Sequence, residues 1–226
     1  MPEGTVVPES RVSRADLAQL QRDGIVEPCV RPLGGAKLAT VLEKVGTPKE
    51  RRRVVLDTLW FNLHVAPPPV SFRPLRELLV VAAEAEWAAT VDAEKAFYQV
   101  ELPQDVRPFC AFRVGSGWWQ PCRLPMGMTT APAVMQRLLQ AVTGLGLQGD
   151  DVVADVYVDN VALFGPAQGV EAALRRWRSV AEKVNLTIGE EQAPGGTITH
   201  RGVEFVLRRT AKLGDKFAAK LRARIG

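Results

Sequence analysis

Apolar positions along the chain follow two spacings, one typical of helices and one typical of strands. A helical spacing predicts helices over residues 13–24, 73–86, 129–142 and 169–185. Shorter apolar runs, bounded by Gly, Pro or polar residues, predict strands over residues 37–45, 51–60, 87–92, 110–125, 151–165, 186–189 and 198–209. The remainder is predicted to be a basic helical tail. This mixture of elements predicts an α+β protein.

The order of the elements indicates which sheet topology the chain adopts. From residue 87 onward, a strand, a helix, a strand pair, a second helix and a final strand region follow one another, with a hairpin inserted after the first strand. That order fits a split βαββαβ sheet. The inserted hairpin at 110–125 and the earlier one at 37–60 have no place in such a sheet. We therefore expect the two hairpins to form a second lobe.

Composition excludes several classes of protein. The chain has 226 residues, of which 46% are hydrophobic, and no segment approaches the ~18 consecutive apolar residues of a membrane span. The first thirty residues lack the pattern of a secretory signal. Cys29, Cys110 and Cys122 are spaced too widely for a zinc site, and His64 and His200 form no metal cluster or triad. These features predict reduced thiols in an intracellular protein, cytoplasmic or nuclear.

Basic residues are concentrated in two segments of a chain whose net charge is +4. Six Lys or Arg lie between residues 37 and 53, and eight lie between residues 201 and 224. This distribution favours a polyanionic partner such as nucleic acid. The alternative is that both segments are merely solvated faces.

Two acidic residues interrupt apolar strands and are candidates for chemistry. The run VYVDNVALFG, residues 156–165, is broken by Asp159 and Asn160, and the run ATVD ends at Asp92. The first and third strands of a split βαββαβ sheet can lie side by side, which would bring the two acids together. Two carboxylates and a substrate phosphate can hold Mg²⁺. Alternatively, Asp92 is a helix cap and Asp159-Asn160 is ordinary turn chemistry.

Six stretches, taken in order, resemble the reverse transcriptases of LTR retrotransposons and related retroelements, in particular the gypsy-like and DIRS-like groups. They are LAQLQRDGIVEP, RRRVVLDTLWFN, TVDAEKAFYQVEL, LPMGMTTAPAVMQRLL, YVDN and GVEF. The resemblance covers roughly residues 16–220. It implies the fingers and palm of a right-hand polymerase, with a ferredoxin-like antiparallel palm sheet that carries helices on one face.

The same resemblance implies a division of the chain into functional parts. Residues 1–86 would be the N-terminal segment and fingers, 87–108 the palm with the first acidic motif, 109–125 a fingers hairpin, and 126–209 the rest of the palm. Residues 210–226 would be the start of a thumb or a basic tail. Without a complete thumb, such a piece is expected to hold primer and template weakly.

Roles carried over position by position are as follows. Asp92, Asp159 and Asn160 would be catalytic, and Asp92, the carbonyl of Ala93 and Asp159 would bind two Mg²⁺ or Mn²⁺ ions. Contacts with the incoming nucleotide are implied for Lys49, Arg53, Phe97, Gln99, Met126 and Gly127. Contacts with primer or template are implied for Tyr157, Pro132, Gln136 and Gly202. Phe97 would exclude a 2′-hydroxyl by its bulk, or it is a plain core residue.

Two positions depart from the family pattern at catalytic places. Asn160 replaces the second Asp of the YVDD box, and Gln192 stands where a lysine often protonates the leaving pyrophosphate. A neutral Gln cannot act as an acid. Some VIPER-like relatives of the DIRS-like group are similar in having Asn at this place, which would make it a trait of a lineage.

Three hypotheses about function follow. The first is an RNA-directed DNA polymerase domain that uses an RNA or DNA template, a primer and dNTPs. No membrane partner is expected. The thumb and RNase H of a retroelement polyprotein would be its neighbours. The second is a degenerate reverse transcriptase that only binds nucleic acid or protein. The third, a free-standing RNA-binding sheet, is disfavoured because its aromatic stacking motif is absent from the sequence.

Overall fold

The structure is a computed structural model, and it describes residues 10–43, 45–46, 51–147, 151–208 and 210–213. The helices are α1 (Arg14–Arg22), α2 (Leu59–Asn62), α3 (Leu75–Glu84), α4 (Ala96–Gln99), α5 (Ala131–Gly146) and α6 (Ala167–Lys183). The strands are β1 (Val26–Pro28), β2 (Lys37–Glu43), β3 (Arg51–Asp57), β4 (Trp87–Ala93), β5 (Phe112–Val114), β6 (Gly117–Pro121), β7 (Val153–Tyr157), β8 (Asn160–Gly165), β9 (Ile188–Gly195), β10 (Thr197–His200), β11 (Val203–Val206) and β12 (Thr210–Leu213).

Helix α1 shows how the local sequence sets these bounds. Ser13 is extended, and its Oγ accepts a hydrogen bond from the backbone N–H of Asp16 at 3.0 Å. A side-chain oxygen at this position satisfies one of the N–H groups that the first turn of a helix leaves unpaired. Gly24 then follows the helix at φ +65°, a conformation that glycine adopts without strain. The helix predicted over 13–24 is confirmed.

A four-stranded sheet carries the acidic motifs. Its strand order is β7-β8-β4-β9, and each neighbouring pair is antiparallel. Helix α5 lies between β4 and β7 along the chain, and α6 lies between β8 and β9. The element order is therefore βαββαβ, with the first strand beside the third and the fourth. The predicted α+β fold and the adjacency of the two acid-bearing strands are both confirmed.

Side chains of the sheet alternate between two covered faces. On one face, Ala88, Ala162 and Phe164 belong to a buried cluster with residues of α3 and of the β10–β11 hairpin, including Leu78 and Phe205. Intervening strand residues point to the other face, as the pleat requires. Helix α6, with Trp177 at its buried centre, contacts β4, β8 and β9. Both faces of the sheet are therefore shielded.

The chain divides into two compact units, Met1–Pro68 with Phe97–Pro132, and Pro69–Ala96 with Ala133–Gly226. The first unit contains the β2–β3 hairpin and a three-stranded sheet in the order β1-β6-β5. The second contains the four-stranded sheet and a three-stranded sheet in the order β10-β11-β12. The functional division into fingers, palm and thumb stays a prediction.

The C-terminal strands differ from the sequence prediction. Residues 198–209 are predicted as one strand region, whereas β10 and β11 form a hairpin whose turn holds Arg201 and Gly202 at positive φ. Strand β9 extends to Gly195, beyond the predicted residues 186–189. The prediction was too short because this exposed edge strand has no alternating apolar positions that would reveal it in the sequence. The predicted helical tail begins instead with strand β12, and its remainder, from residue 214, lies outside the described residues.

Among the described residues, no helix is both long enough and apolar enough to cross a membrane.

Candidate active site

Strand pairing brings the two predicted acids to one end of the four-stranded sheet. Asp92 lies in β4 directly opposite Asn160, the first residue of β8. Asp159 occupies the turn just before β8, and its backbone carbonyl accepts a hydrogen bond from the N–H of Ala93 at 2.9 Å. Asp92, Ala93 and Asp159 are therefore neighbours, as the sequence predicts.

Negative charge accumulates around Asp92. Burial raises the pKa of Asp92 to about 6, and the charges of Asp159 and Glu190 contribute in the same direction. Glu190 belongs to β9, and sequence reasoning missed it because nothing in GEEQ predicts that this edge strand pairs with β4. Gly189, which precedes Glu190, lets strand β9 lie close to Asp92, since a Cβ at this position would be 3.3 Å from a carboxylate oxygen of Asp92.

This donor set fits a cation that is shared with a substrate. Within the described ranges, no three His, Cys, Asp or Glu side chains converge into a complete metal centre. Mg²⁺, however, usually keeps several waters and binds through one or two carboxylates together with substrate phosphates. A cation beside Asp92 and Asp159 would also offset the repulsion that raises the Asp92 pKa.

The turn that contains Asp159 is strained, and hydrogen bonds from a residue of α5 stabilise it. Val158 adopts φ +55°, which is a rare conformation for a β-branched residue. Gln136, a buried residue of α5, donates from Nε2 to the carbonyl of Val156 at 2.8 Å. Its Oε1 accepts from the N–H of Val158 at 2.7 Å. Gln136, predicted to contact primer or template, therefore holds the Asp159 turn through these two bonds.

Asn160 bonds to a histidine of strand β10. The Oδ1 atom of Asn160 lies 2.9 Å from Nδ1 of His200, and Nε2 of His200 lies 2.7 Å from a carboxylate oxygen of Asp155. His200 and Asp155 are each 2% exposed. The sequence contains no pattern that would pair them, because the contact depends on a hairpin that is predicted as a single strand region.

Gln192 also bonds to strand β10. Its Oε1 accepts from the backbone N–H of Thr199 at 2.8 Å and from the hydroxyl of Thr90 at 3.3 Å. Thr90 lies directly opposite Gln192 in the β4–β9 pair. The side chain thus links three strands.

Tyr157 and Gly202, predicted to contact the primer, lie near one another in the fold. The Tyr157 ring packs against Phe72, with centroids 5.0 Å apart, and the guanidinium of Arg201 lies 4.7 Å from its centroid. Gly202 follows Arg201 in the β10–β11 turn at φ +75°. Tyr157 remains 41% exposed.

In the first unit, a short helical turn lies against strand β3. The hydroxyl of Tyr98 donates to the carbonyl of Val54 at 3.2 Å. Burial raises the pKa of Tyr98, while the charge of Arg53 acts in the opposite direction, which indicates that the guanidinium is close. Phe97 and Gln99 flank Tyr98 and are half-buried. Lys49, predicted to bind the triphosphate, lies outside the described residues.

Asn62 binds the segment LPMGM, residues 124–128, within the same unit. Asn62 donates from Nδ2 to the carbonyl of Gly127 and accepts at Oδ1 from the N–H of Thr129, both at 2.8 Å. Gly127 adopts φ +105°, and a Cβ there would lie 2.7 Å from the carbonyl oxygen of Leu56. Only glycine fits this place. Met126 precedes it and Pro132 is the second residue of α5; both are half-buried.

Comparison with known protein families points to one family. A family model described as "Reverse transcriptase (RNA-dependent DNA polymerase)" matches residues 49–192, which is more than half of the chain.

Relatives in sequence are of the same kind. The Pol polyprotein of the Drosophila melanogaster transposon gypsy is 28% identical over 159 residues, covering 66% of this chain and 14% of the relative. That of transposon opus is 23% identical over 176 residues, covering 77% and 17%. The chain thus spans less than a fifth of these relatives.

A foamy viral protease–reverse transcriptase, solved in complex with double-stranded DNA, superposes with a TM-score of 0.75 at 17% identity. The superposition covers 97% of this chain and 39% of that one, and it shows that the two share a fold. The predicted resemblance to gypsy-like elements is confirmed. The chain belongs to the reverse transcriptase (RNA-dependent DNA polymerase) family.

Proposed function

We propose that the chain is the fingers and palm of an RNA-directed DNA polymerase, which adds nucleotides from dNTPs to the 3′-hydroxyl of a primer. The adjacency of Asp92 and Asp159 at the end of the β4–β8 pair carries this proposal. Strand β4 holds Asp92 and the turn between β7 and β8 holds Asp159, where a divalent cation would offset their repulsion. The relatives, which are retroelement Pol polyproteins, support the same assignment.

Asp92, the carbonyl of Ala93 and Asp159 would hold two Mg²⁺ or Mn²⁺ ions. Two such ions lower the pKa of the attacking hydroxyl and stabilise the leaving oxygen in phosphoryl transfer. The contribution of the chain is to fix the two carboxylates: β4 fixes Asp92, and Gln136 fixes the turn of Asp159.

The nucleotide would be bound by residues of the predicted fingers and of the segments AFYQ and PMG. Arg53 and Lys49 would neutralise the triphosphate, and Gln99, Met126 and Gly127 would line the base and template side. Phe97 would exclude ribonucleotides by bulk. We expect Phe97→Val to admit ribonucleotides in primer extension, and unchanged sugar selectivity would refute this role.

Primer and template would run past Tyr157, Gly202, Pro132 and Gln136, with Gln136 acting from beneath the Asp159 turn. The foamy viral relatives were solved with double-stranded DNA and with an RNA/DNA hybrid, which supports RNA or DNA as the template here. The net charge of +4 suits such a partner. The relatives are polyproteins, so a thumb and an RNase H domain are the expected neighbours.

Primer extension on poly(rA)/oligo(dT) with Mg²⁺ or Mn²⁺ tests this function. Asp92→Asn and Asp159→Asn are each expected to lower incorporation by at least about a hundredfold, because each removes a metal-binding carboxylate. Asp105→Asn, which removes an exposed acid of the first unit, is the matched control and should retain activity. Incorporation that survives both active-site changes would contradict the proposal.

A degenerate reverse transcriptase that only binds nucleic acid is the second candidate. Asn160 and Gln192 favour it, because both replace groups with catalytic roles elsewhere in the family. The same assay separates the two candidates when primer–template binding is measured in parallel. Binding without incorporation under every metal condition would support the degenerate protein.

A further inference from the structure

The two positions that depart from the family pattern share one structural partner. Asn160 contacts the side chain of His200, and Gln192 accepts a hydrogen bond from the backbone of Thr199. His200 and Thr199 are consecutive residues of β10. Independent loss of two catalytic groups gives no reason for both replacements to bond to the same strand.

The contact of Asn160 is part of a buried hydrogen-bond chain. An ionised carboxylate can only accept, so Asp155 requires the Nε2–H of His200 as donor. Nδ1 of the same ring then needs a partner, because a buried polar atom without one costs about 1–3 kcal/mol. Oδ1 of Asn160 lies 2.9 Å from it and can accept from an N–H, and a flip of the side-chain amide places its Nδ2 as a donor at the same position, so Asn160 can satisfy Nδ1 in either role. The Asn160 side chain is therefore committed to His200.

Arg201 and Arg73 complete the hydrogen-bond network around Asp155 and extend it to the segment before α3. The guanidinium of Arg201 lies 2.7 Å from Asp155 and compensates its charge. Its other terminal nitrogen donates to the backbone carbonyl of Arg73 at 2.7 Å. The Arg73 side chain itself lies 3.8 Å from Asp155. Strand β10 and its turn are thus anchored to β7, to β8 and to the segment before α3.

This anchorage lies next to the proposed metal site. Asn160 directly follows Asp159 and is directly opposite Asp92. Gln136 holds the residues before Asp159, and the Asn160–His200 contact holds the residue after it. The strained turn at Val158 is therefore fixed on both sides.

We propose that Asn160 and Gln192 are positioning residues, which fix strand β10 to the four-stranded sheet beside the Asp159 turn, and that Asn160 is not a metal ligand. The second half of this statement rests on the proposed polymerase function. Cation binding then depends on Asp92 and Asp159, and the Asn at position 160 leaves it intact. Gln192 acts as a hydrogen-bond acceptor and has no role as a proton donor.

Imidazole ¹⁵N NMR tests the Asn160 contact without any need for activity. The chain has two histidines, so the signals that remain in His64→Gln belong to His200. Asn160→Ala is expected to shift the His200 nitrogen resonances and to leave those of His64 unchanged. Unchanged His200 resonances would overturn the proposal.

Amide hydrogen exchange tests the Gln192 contact. Gln192→Lys removes the acceptor, so the Thr199 amide should exchange about tenfold faster, the equivalent of one lost hydrogen bond. Gln192→Glu keeps an acceptor oxygen and should preserve the slow exchange. Equal protection of Thr199 in the Lys variant would contradict the assignment.

Mn²⁺ titration followed by electron paramagnetic resonance tests the metal half. Asp159→Asn should weaken binding by at least about tenfold and Asn160→Ala by less than about threefold, with tenfold corresponding to ~1.4 kcal/mol. In primer extension, Asn160→Ala should lower kcat without changing the Mn²⁺ concentration that gives half of the maximal rate. Equal losses of affinity in the two variants would make Asn160 a ligand and overturn the proposal. A wild-type chain that binds no Mn²⁺ refutes the proposed function, while the histidine spectrum still decides the contact.

Discussion

At the scale of single residues, the carboxylates of Asp92, Asp159 and Glu190 make a site whose charge depends on pH. The Asp92 pKa of about 6 lies above its ordinary value of 3.8, because burial and two neighbouring charges disfavour the ionised form. A raised folded-state pKa contributes stability that is fully present below about pH 3.8 and is lost as the pH rises through about 6. A bound cation acts in the opposite direction, since it requires the ionised form.

We expect Mn²⁺ affinity to increase steeply as the pH rises through about 6, because the cation competes with the proton for Asp92. Isothermal titration between about pH 5 and pH 8 measures this increase. An affinity that is flat across this pH range would contradict the assignment of the site.

In the metal-free protein, the pKa of Asp92 should move toward 3.8 in Asp159→Asn, because one of the three causes of its shift is removed. Carboxyl ¹³C NMR measures the titration directly. The control is Asp23→Asn, which changes an exposed aspartate just after α1 and should leave the Asp92 pKa unchanged. An Asp92 pKa that is the same in both variants would show that the two acids are not coupled.

At the scale of elements, the Asp159 turn is held by a helix rather than by its own sequence. Helix α5 places Gln136 under the turn, where one amide satisfies both a carbonyl and an N–H of the hairpin. The strained Val158 conformation persists because this support and the β7–β8 pairing determine it together.

Gln136→Leu is expected to lower the free energy of unfolding by about 2–3 kcal/mol, because it leaves the N–H of Val158 without its partner. Chemical denaturation measures the loss, and primer extension should show a lower kcat. The matched control is Gln140→Leu, which changes an exposed glutamine one turn later in α5 and should change the stability little. A Gln136 variant as stable as this control would show that the turn does not need the amide.

Elements with strong periodicity were predictable, whereas those defined by tertiary contacts were not. Helix α1 follows from Ser13 and Gly24, and β4 and β8 follow from apolar runs that are bounded by polar residues. Strand β9 has no apolar alternation because it is an exposed edge, and its pairing with β4 decides its extent. The β10–β11 turn was not predicted, because Arg201 is an unusual residue at positive φ. Glu190 and His200 lie on those two elements, so they were missed with them.

At the scale of the whole molecule, charge governs the proposed interaction with nucleic acid. Lys and Arg number 29 against 25 Asp and Glu, and the excess is concentrated in two segments of the sequence. Release of counterions from the phosphates should dominate binding, with log K falling by roughly 0.7–0.9 per contacted phosphate for each decade of salt. Fluorescence anisotropy with a labelled primer–template between roughly 50 and 300 mM salt measures this slope. Affinity that does not change with salt would contradict a polyanionic partner.

The strand order of the four-stranded sheet also sets the sequence in which the site can assemble. Strand β4 is synthesised before both of its neighbours, β8 and β9, and every contact it makes in the sheet closes a long loop. Such non-local pairings form slowly, because chain entropy is lost before the contacts compensate for it. During synthesis on the ribosome, Asp92 therefore emerges before β8 and β9, and its surroundings are complete only when β9 follows. The carboxylate at the centre of the proposed chemistry is made well before the strands that enclose it.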